Sequence, residues 1–232
     1  MSNYLNYETY IFLNSEKIII SVYDDLDKKI YEENLKIEKI ENKDFFEKLD
    51  FFLSKSIFKI ERKLNNFIKE TSIIIDLDIF FPLEISIKNN YENRIDLENI
   101  KRLLYEAKSY CRKTLDNQEI IHIVITNYKI DNKNFTSLPP ETNCKNFSLD
   151  IKFTCVSSDY VKNLELILKK YHISLKRLVN GNYVKSFLTE DEKDLFLMTK
   201  KIVNGFNPNE VVLINKTDKK QGFFEKFFHF FN

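Results

Sequence analysis

The chain has 232 residues, 43% of them apolar, with 36 basic and 35 acidic side chains and a net charge of +1. That length can bury one or two sizeable cores. The balanced, interleaved charge argues against a nucleic-acid stripe and against a like-charged interaction tail.

The N-terminal stretch carries no basic region followed by an apolar run, so no signal peptide is expected. The first fifth predicts strands at "TYIFL", "KIIISVY" and "LKI", separated by polar turns such as Asp24-Asp25. Asn42 or Asp44 opens a long helix, with Phe45, Leu49, Phe52, Ile57, Ile60, Leu64, Phe67 and Ile68 near the 3.6 period. "SIIIDL" has the continuous apolar run of a buried strand, and "LEISIK" alternates like a half-buried one. From about Asp96 a second helix presents Ile100, Leu103, Leu104, Ala107 and Cys111 on one face.

"EIIHIVITNYKID" predicts one long strand or a strand pair, and "NKNFTSLPPETNCKN" a loop. "FSLDIKFTCV" alternates cleanly. Ser158 or Asp159 caps a helix with Val161, Leu164, Ile167, Leu168 and Tyr171 inside, and "ISLKRLV" follows as a strand. Thr189 with Glu192 three residues on predicts a capping box opening a helix over "LTEDEKDLFLMTKKIV". "EVVLI" is a last short strand, and "NKTDKKQG" a polar linker. The expected fold class is α+β or mixed α/β.

The last eleven residues read "GFFEKFFHFFN". On a helix at about 100° per residue, Phe223, Phe224, Phe227, Phe228, Phe230 and Phe231 fill an arc of about 160°, with Glu225, Lys226, His229 and Asn232 opposite. So short a helix needs an apolar surface to form on. A membrane interface is one, and Lys216, Lys219, Lys220 and Lys226 suit anionic headgroups. Docking on the protein's own core is the alternative. The polar linker and the uniform bulk of the apolar side disfavour it.

Four stretches carry a resemblance to FtsA, the actin-like bacterial division family that ties the cytokinetic ring to the inner membrane. In "EIIHIVITNYKID", His122, Tyr128, Ile130 and Asp131 match the family's spacing, and Ile125 stands where a proline is expected. "DYVKNLELILKKYHISLKRLV" resembles the family's Asn-Leu helix and following strand through Asn163, Leu164, Ile173 and Val179. "LTEDEKDL" is similar to the start of the helix leading back to the actin-like core. The tail resembles the family's membrane-targeting helix.

The resemblance implies a partial actin-like lobe over 1–93 and a small strand–helix–strand–strand insert domain over 94–188. A return helix and strand would follow over 189–215, then linker and amphipathic helix over 216–232. The insert's sheet is expected to hold the strands around His122, Ile151 and Leu175, with the 158–171 helix packed on it.

Two departures bear on nucleotide. Phe12 and Asn14 stand where a phosphate loop would have its aspartate and glycine, and "NKTDKK" replaces a glycine-rich second loop. Gly181, Gly205 and Gly222 are the only glycines, whereas a phosphate cradle needs several close together. No cofactor, no metal and no catalysis are therefore expected.

His122 reads as a hydrogen-bonded core histidine, His172 as a helix-end residue, and Asp76 and Asp78 as turn formers. Cys111, Cys144 and Cys155 have no metal spacing and suit a reducing cytoplasm as buried thiols. The expected function is a non-catalytic, membrane-tethered adaptor of the cell-division machinery on the cytoplasmic face of the inner membrane. Its partners would be other division proteins, the membrane through the tail, and a second copy by self-association, but not nucleic acid. Alternatives are a cytoplasmic adaptor of a pilus or secretion platform, and an enzyme retaining actin-like ATPase activity.

Overall fold

A computed structural model describes residues 7–37, 44–90, 95–139 and 144–212. In chain order the elements are β1 (Glu8–Asn14), β2 (Lys17–Tyr23), β3 (Lys29–Lys36), α1 (Asp44–Leu64), β4 (Glu70–Asp76), β5 (Phe81–Asn90), α2 (Leu97–Thr114), β6 (Gln118–Ile130), β7 (Lys133–Phe135), β8 (Asn146–Ser157), α3 (Ser158–Lys170), β9 (Ser174–Asn180), α4 (Gly181–Lys185) and α5 (Leu195–Val203). The class is α+β, as expected. The chain forms two compact units, Met1–Phe80 with Ser158–Asn204, and Phe81–Ser157 with Gly205–Asn232.

The first unit is built on a sheet of order β3-β2-β1-β4-β9. β1, β2 and β3 form an antiparallel meander, while β4 runs parallel to β1 and β9 parallel to β4. The apolar runs of β1 and β4 are buried almost throughout because helices cover both faces. Tyr10, Phe12, Ile74 and Val179 pack with Val184 of α4 and Phe196, Met198 and Ile202 of α5. Ile11, Leu13, Ile73 and Ile75 alternate onto the other face, where α1 and α3 lie, and are fully buried.

The second unit has the sheet β5-β8-β6-β7, antiparallel throughout. Over 81–157 the order is strand–helix–strand–strand–strand, one short strand more than the insert expected over 94–188, and it begins earlier and ends earlier. Phe147, Leu149, Ile151, Phe153 and Cys155 of β8 lie under Ile100, Leu103, Leu104, Ala107 and Cys111 of α2 in one core. Asp96 caps α2 by accepting the Asn99 N–H at 2.8 Å. The three cysteines are buried and free; burial pushes the Cys155 thiol up to about 12.

Several expectations are corrected. The strand around Leu175 does not join those around His122 and Ile151. It is β9, paired with β4 in the first sheet, and α3 packs beside it and α1 rather than on the insert. "LEISIK" conversely opens the insert as β5. α1 stops at Leu64 because Asn65 takes a left-handed conformation (φ 50°), and Phe67 is exposed. The loop after β6 holds the short strand β7, reached through Asp131 and Asn132, both at positive φ as a two-residue hairpin requires.

Thr189 Oγ1 does accept the Glu192 N–H at 3.2 Å, but the helix begins only at Leu195. Its cap is Asp194, whose carboxylate accepts the N–H groups of Phe196 and Leu197 at 2.9 and 3.2 Å. Glu210 of "EVVLI" bridges to Val124 of β6 in the second unit, not to the first sheet. The tail residues Phe223, Phe224, Phe227, Phe228, Phe230 and Phe231, with Lys219, Lys220 and Lys226, lie outside the described residues.

Candidate functional site

In an open sheet with parallel strands, ligands gather outside the C-terminal strand ends. In the first unit β1, β4 and β9 end side by side on Asn14, Asp76 and Asn180. Each polar side chain there is engaged by nearby protein. Asn14 Oδ1 accepts the N–H groups of Glu16 and Lys17 at 3.0 and 2.8 Å, closing the β1–β2 turn. Phe12, where the resemblance wants an aspartate, is buried core. Asp76 accepts Lys185 Nζ at 2.5 Å. Asn180 Oδ1 caps α4 by accepting the N–H groups of Asn182 and Tyr183 at 2.8 and 3.2 Å.

Gly181 fixes how close α4 comes to β4. A Cβ there would stand 2.8 Å from Asp76 Cβ and 3.0 Å from the Ile75 carbonyl oxygen. Asp78 is exposed in the turn after β4, consistent with a turn former. Among the described residues no cluster of three or more His, Cys, Asp or Glu has the arrangement to hold a metal ion.

The opposite, N-terminal strand ends of the same unit surround a cleft of about 40 Å³ lined by Glu8, Tyr10, Glu70, Ser72, Lys176 and Lys200 among others. Ligand pockets run to several hundred Å³, so this volume suits water. Its charges pair off. Lys176 meets Glu70 at 2.7 Å, and Lys200 meets Asp27 at 2.6 Å and Glu8 at 3.0 Å. The Asp27 and Glu8 carboxylates hold the Lys200 ammonium above the usual lysine range.

In the second unit the matched residues of β6 meet the returning segment. His122 is buried, as expected of a core histidine, with Nδ1 2.8 Å from Glu210 Oε1. The Ile125 N–H donates to Asn209 O at 2.9 Å, and the Val211 N–H to Ile123 O at 2.8 Å. A proline at 125, as the resemblance expected, would remove the first of these bonds. Asp131 accepts the N–H groups of Lys145 and Asn146 at 3.0 and 2.8 Å, tying the end of β6 to the start of β8. The four matched residues of this stretch are thus placed in one strand and its turn. Asn163 is exposed on α3, and Ile173 and Val179 are core of the first unit.

The sequence reading named none of Lys185, Gly181 or Glu210 as a partner. Of the strand expected at "EVVLI", Glu210 forms an isolated bridge, Val211 and Val212 are not strand, and the rest lies outside the described residues. No helix among the described residues is long and apolar enough to cross a membrane.

No protein-family model matches the chain, and no curated protein matches its sequence. Solved structures similar to it include a PilM–PilN type IV pilus biogenesis complex, at 7% identity and a TM-score of 0.45 over 76% of this chain and 48% of that one. The cytoplasmic domain of EpsL, an inner-membrane component of the Vibrio cholerae type II secretion system, is 12% identical with a TM-score of 0.35 over 77% of this chain and 57% of that one. A Bacteroides thetaiotaomicron protein of unknown function with an actin-like ATPase fold is 14% identical with a TM-score of 0.32 over 78% and 55%. The chain thus spans about half the length of these three structures.

Proposed function

We propose that the chain is a non-catalytic, membrane-tethered adaptor. The second unit presents a protein-binding surface, and the phenylalanine tail holds it on the cytoplasmic face of the inner membrane. The observation that carries this reading is the compact four-stranded unit with one helix at 81–157, to which residues 209–211 are hydrogen-bonded. Those residues lead straight into the linker, so the base of the tether is fastened to the unit it would deliver. From Val212 to Phe223 the backbone reaches at most about 35–40 Å.

The non-catalytic part is supported by the C-terminal strand ends. Asn14, Asp76 and Asn180 each serve a turn, an ion pair or a cap, and Phe12 is core. The partial actin-like character of the first unit is part of the same proposal.

Full burial of one phenylalanine is worth about 1.5–3 kcal/mol, and each nearby lysine adds up to about 1 kcal/mol at an anionic surface. Set against the ordering of a short helix, the anchor is weak and reversible. The division machinery is the first candidate for the assembly served, from the four matched stretches. A pilus or secretion platform, which can use a similar insert, is its rival.

Liposome flotation of the full chain tests the tether. Binding should rise with anionic lipid and fall with salt. Deleting 222–232 should abolish it without lowering the melting temperature. A deleted protein that still floats overturns the anchor, and one that melts lower assigns the tail to the protein's own core. Saturable binding of ATP by calorimetry would overturn the non-catalytic part. A fluorescent fusion at mid-cell supports the division reading, and one at poles or patches its rival.

A further inference from the structure

Strand β5 is the outer edge of the second unit's sheet, and no described residue pairs with its free side. It is ten residues long and alternates without a break. Leu83, Ile85 and Ile87 carry the sheet's apolar face out to the rim, where they stay half-buried, while Glu84, Ser86 and Lys88 are exposed on the other face. A long edge of this kind offers a row of backbone groups to a further strand.

The sequence of this edge is nearly symmetric. About Ser86, Ile85 mirrors Ile87 and Glu84 mirrors Lys88, charges of opposite sign at equal distance from the centre, while Leu83 falls opposite Asn89. We propose that β5 pairs with β5 of a second copy of this chain, antiparallel, about a two-fold axis at Ser86. The proposal goes beyond the adaptor reading and does not rest on it.

A two-fold axis normal to the sheet keeps the apolar faces of both copies on one side, so directly opposed residues must come from the same face of each strand. Few registers meet that condition. Centring on Ser86 sets Glu84 against Lys88 of the partner subunit, and Lys88 against Glu84 of the partner subunit. On the apolar face it sets Ile85 against Ile87 of the partner subunit.

Centring on Glu84 or on Lys88 puts like charges opposite each other. Centring on Ile85 or Ile87 gives neither charge an opposite partner across the seam. Only the Ser86 register satisfies both charges, and opposite-charge pairs directly across strands are stabilising where like-charge pairs are not. Backbone groups pointing outward also meet one another in this register, because paired residues differ by an even number. The two four-stranded sheets would become one of eight strands. Pro82, which has no N–H to give, falls at the end of the seam, where its loss is smallest.

The test uses the full chain with Ser86→Cys. The three native thiols are buried, so the new one is the exposed thiol of the described surface. Opposed Cβ atoms lie about 4.5–5.5 Å apart, close to disulfide reach. Mild oxidation should give a covalent dimer with Ser86→Cys and not with Glu84→Cys, whose thiol would face Lys88 of the partner subunit. The double variant Glu84→Cys/Lys88→Cys should cross-link again.

By sedimentation equilibrium the unmodified chain should dimerise, Lys88→Glu should weaken the dimer by about tenfold, and Glu84→Lys/Lys88→Glu should restore it. Glu84 also faces Lys152 of β8, so each variant's melting is recorded to confirm that it is folded. A wild-type chain monomeric at its highest soluble concentration overturns the proposal. So does Glu84→Cys cross-linking as fast as Ser86→Cys, or a dimer indifferent to Lys88→Glu.

Discussion

The two sheets differ in how many faces they bury. In β4 of the first unit, Thr71 through Ile75 are buried one after another, because helices lie on both sides. In β8 of the second, Phe147, Leu149, Ile151, Phe153 and Cys155 are buried while Ser148, Asp150 and Thr154 are half-buried and Lys152 is exposed. The inner strands of the first sheet therefore have no face left for a partner, while its edge strand β3 leaves Glu32, Asn34 and Lys36 exposed. The second keeps an open face and an open edge. An edge strand that carries an apolar face out to its rim makes the second unit the place to look for binding.

Alanine substitution sharpens the contrast most. Phe153→Ala should cost about 3–5 kcal/mol and its neighbour Lys152→Ala less than about 0.5 kcal/mol, by denaturant titration. Ile73→Ala, Ile74→Ala and Ile75→Ala should each cost about 2–5 kcal/mol, with no alternation. An alternating pattern in β4 would break the comparison.

Gly181→Ala should cost about 1–3 kcal/mol, since its new methyl meets Asp76 and the Ile75 carbonyl at overpacked distances. Asp194→Ala should cost about 1 kcal/mol through the lost cap of α5. It also removes the acceptor of the Tyr23 hydroxyl, now at 2.8 Å. Tyr23→Phe, which keeps the cap, should cost less.

The smallest effect is one of pH. Hydrogen bonds from Ser86 at 2.6 Å and Asn127 at 2.9 Å hold the Asp150 carboxyl below its usual range. A depressed folded pKa contributes stability that is present above the unfolded value of about 3.9 and lost as pH falls through the folded one. Asp150→Asn should flatten the acid limb of the stability curve below about pH 4, read by thermal melts, and leave the neutral limb parallel to wild type.

Local pattern made most elements legible. The unbroken "SIIIDL" announced a strand covered on both faces, the alternation of "FSLDIKFTCV" one covered on a single face, and Asp96 the start of α2. Sheet membership was not legible, because "ISLKRLV" has the same pattern whichever sheet it joins. Only β9's register with β4 decides that. The competition between Thr189 and Asp194 to cap α5 was equally hidden, since both are good caps and the winner is the one next to buried Phe196.

At the candidate site, Asp76 and Lys185 are 109 residues apart, and His122 and Glu210 are 88 apart. No spacing rule joins such pairs.

The insertion point has a consequence for how the chain folds. Between the end of β4 and the start of β9 lie roughly 97 residues, and closing so long a loop is entropically costly. Phe81 and Cys155 are paired neighbours in the second sheet, so once the insert has formed its two ends are already together. The loop still to be closed then shrinks to about 20 residues, which lowers the closure cost by about 1.4 kcal/mol. The insert acts as a clasp on its host. Damage to β5 or β8 should slow the docking of β9 onto β4 even though no side chain of the first sheet has been touched.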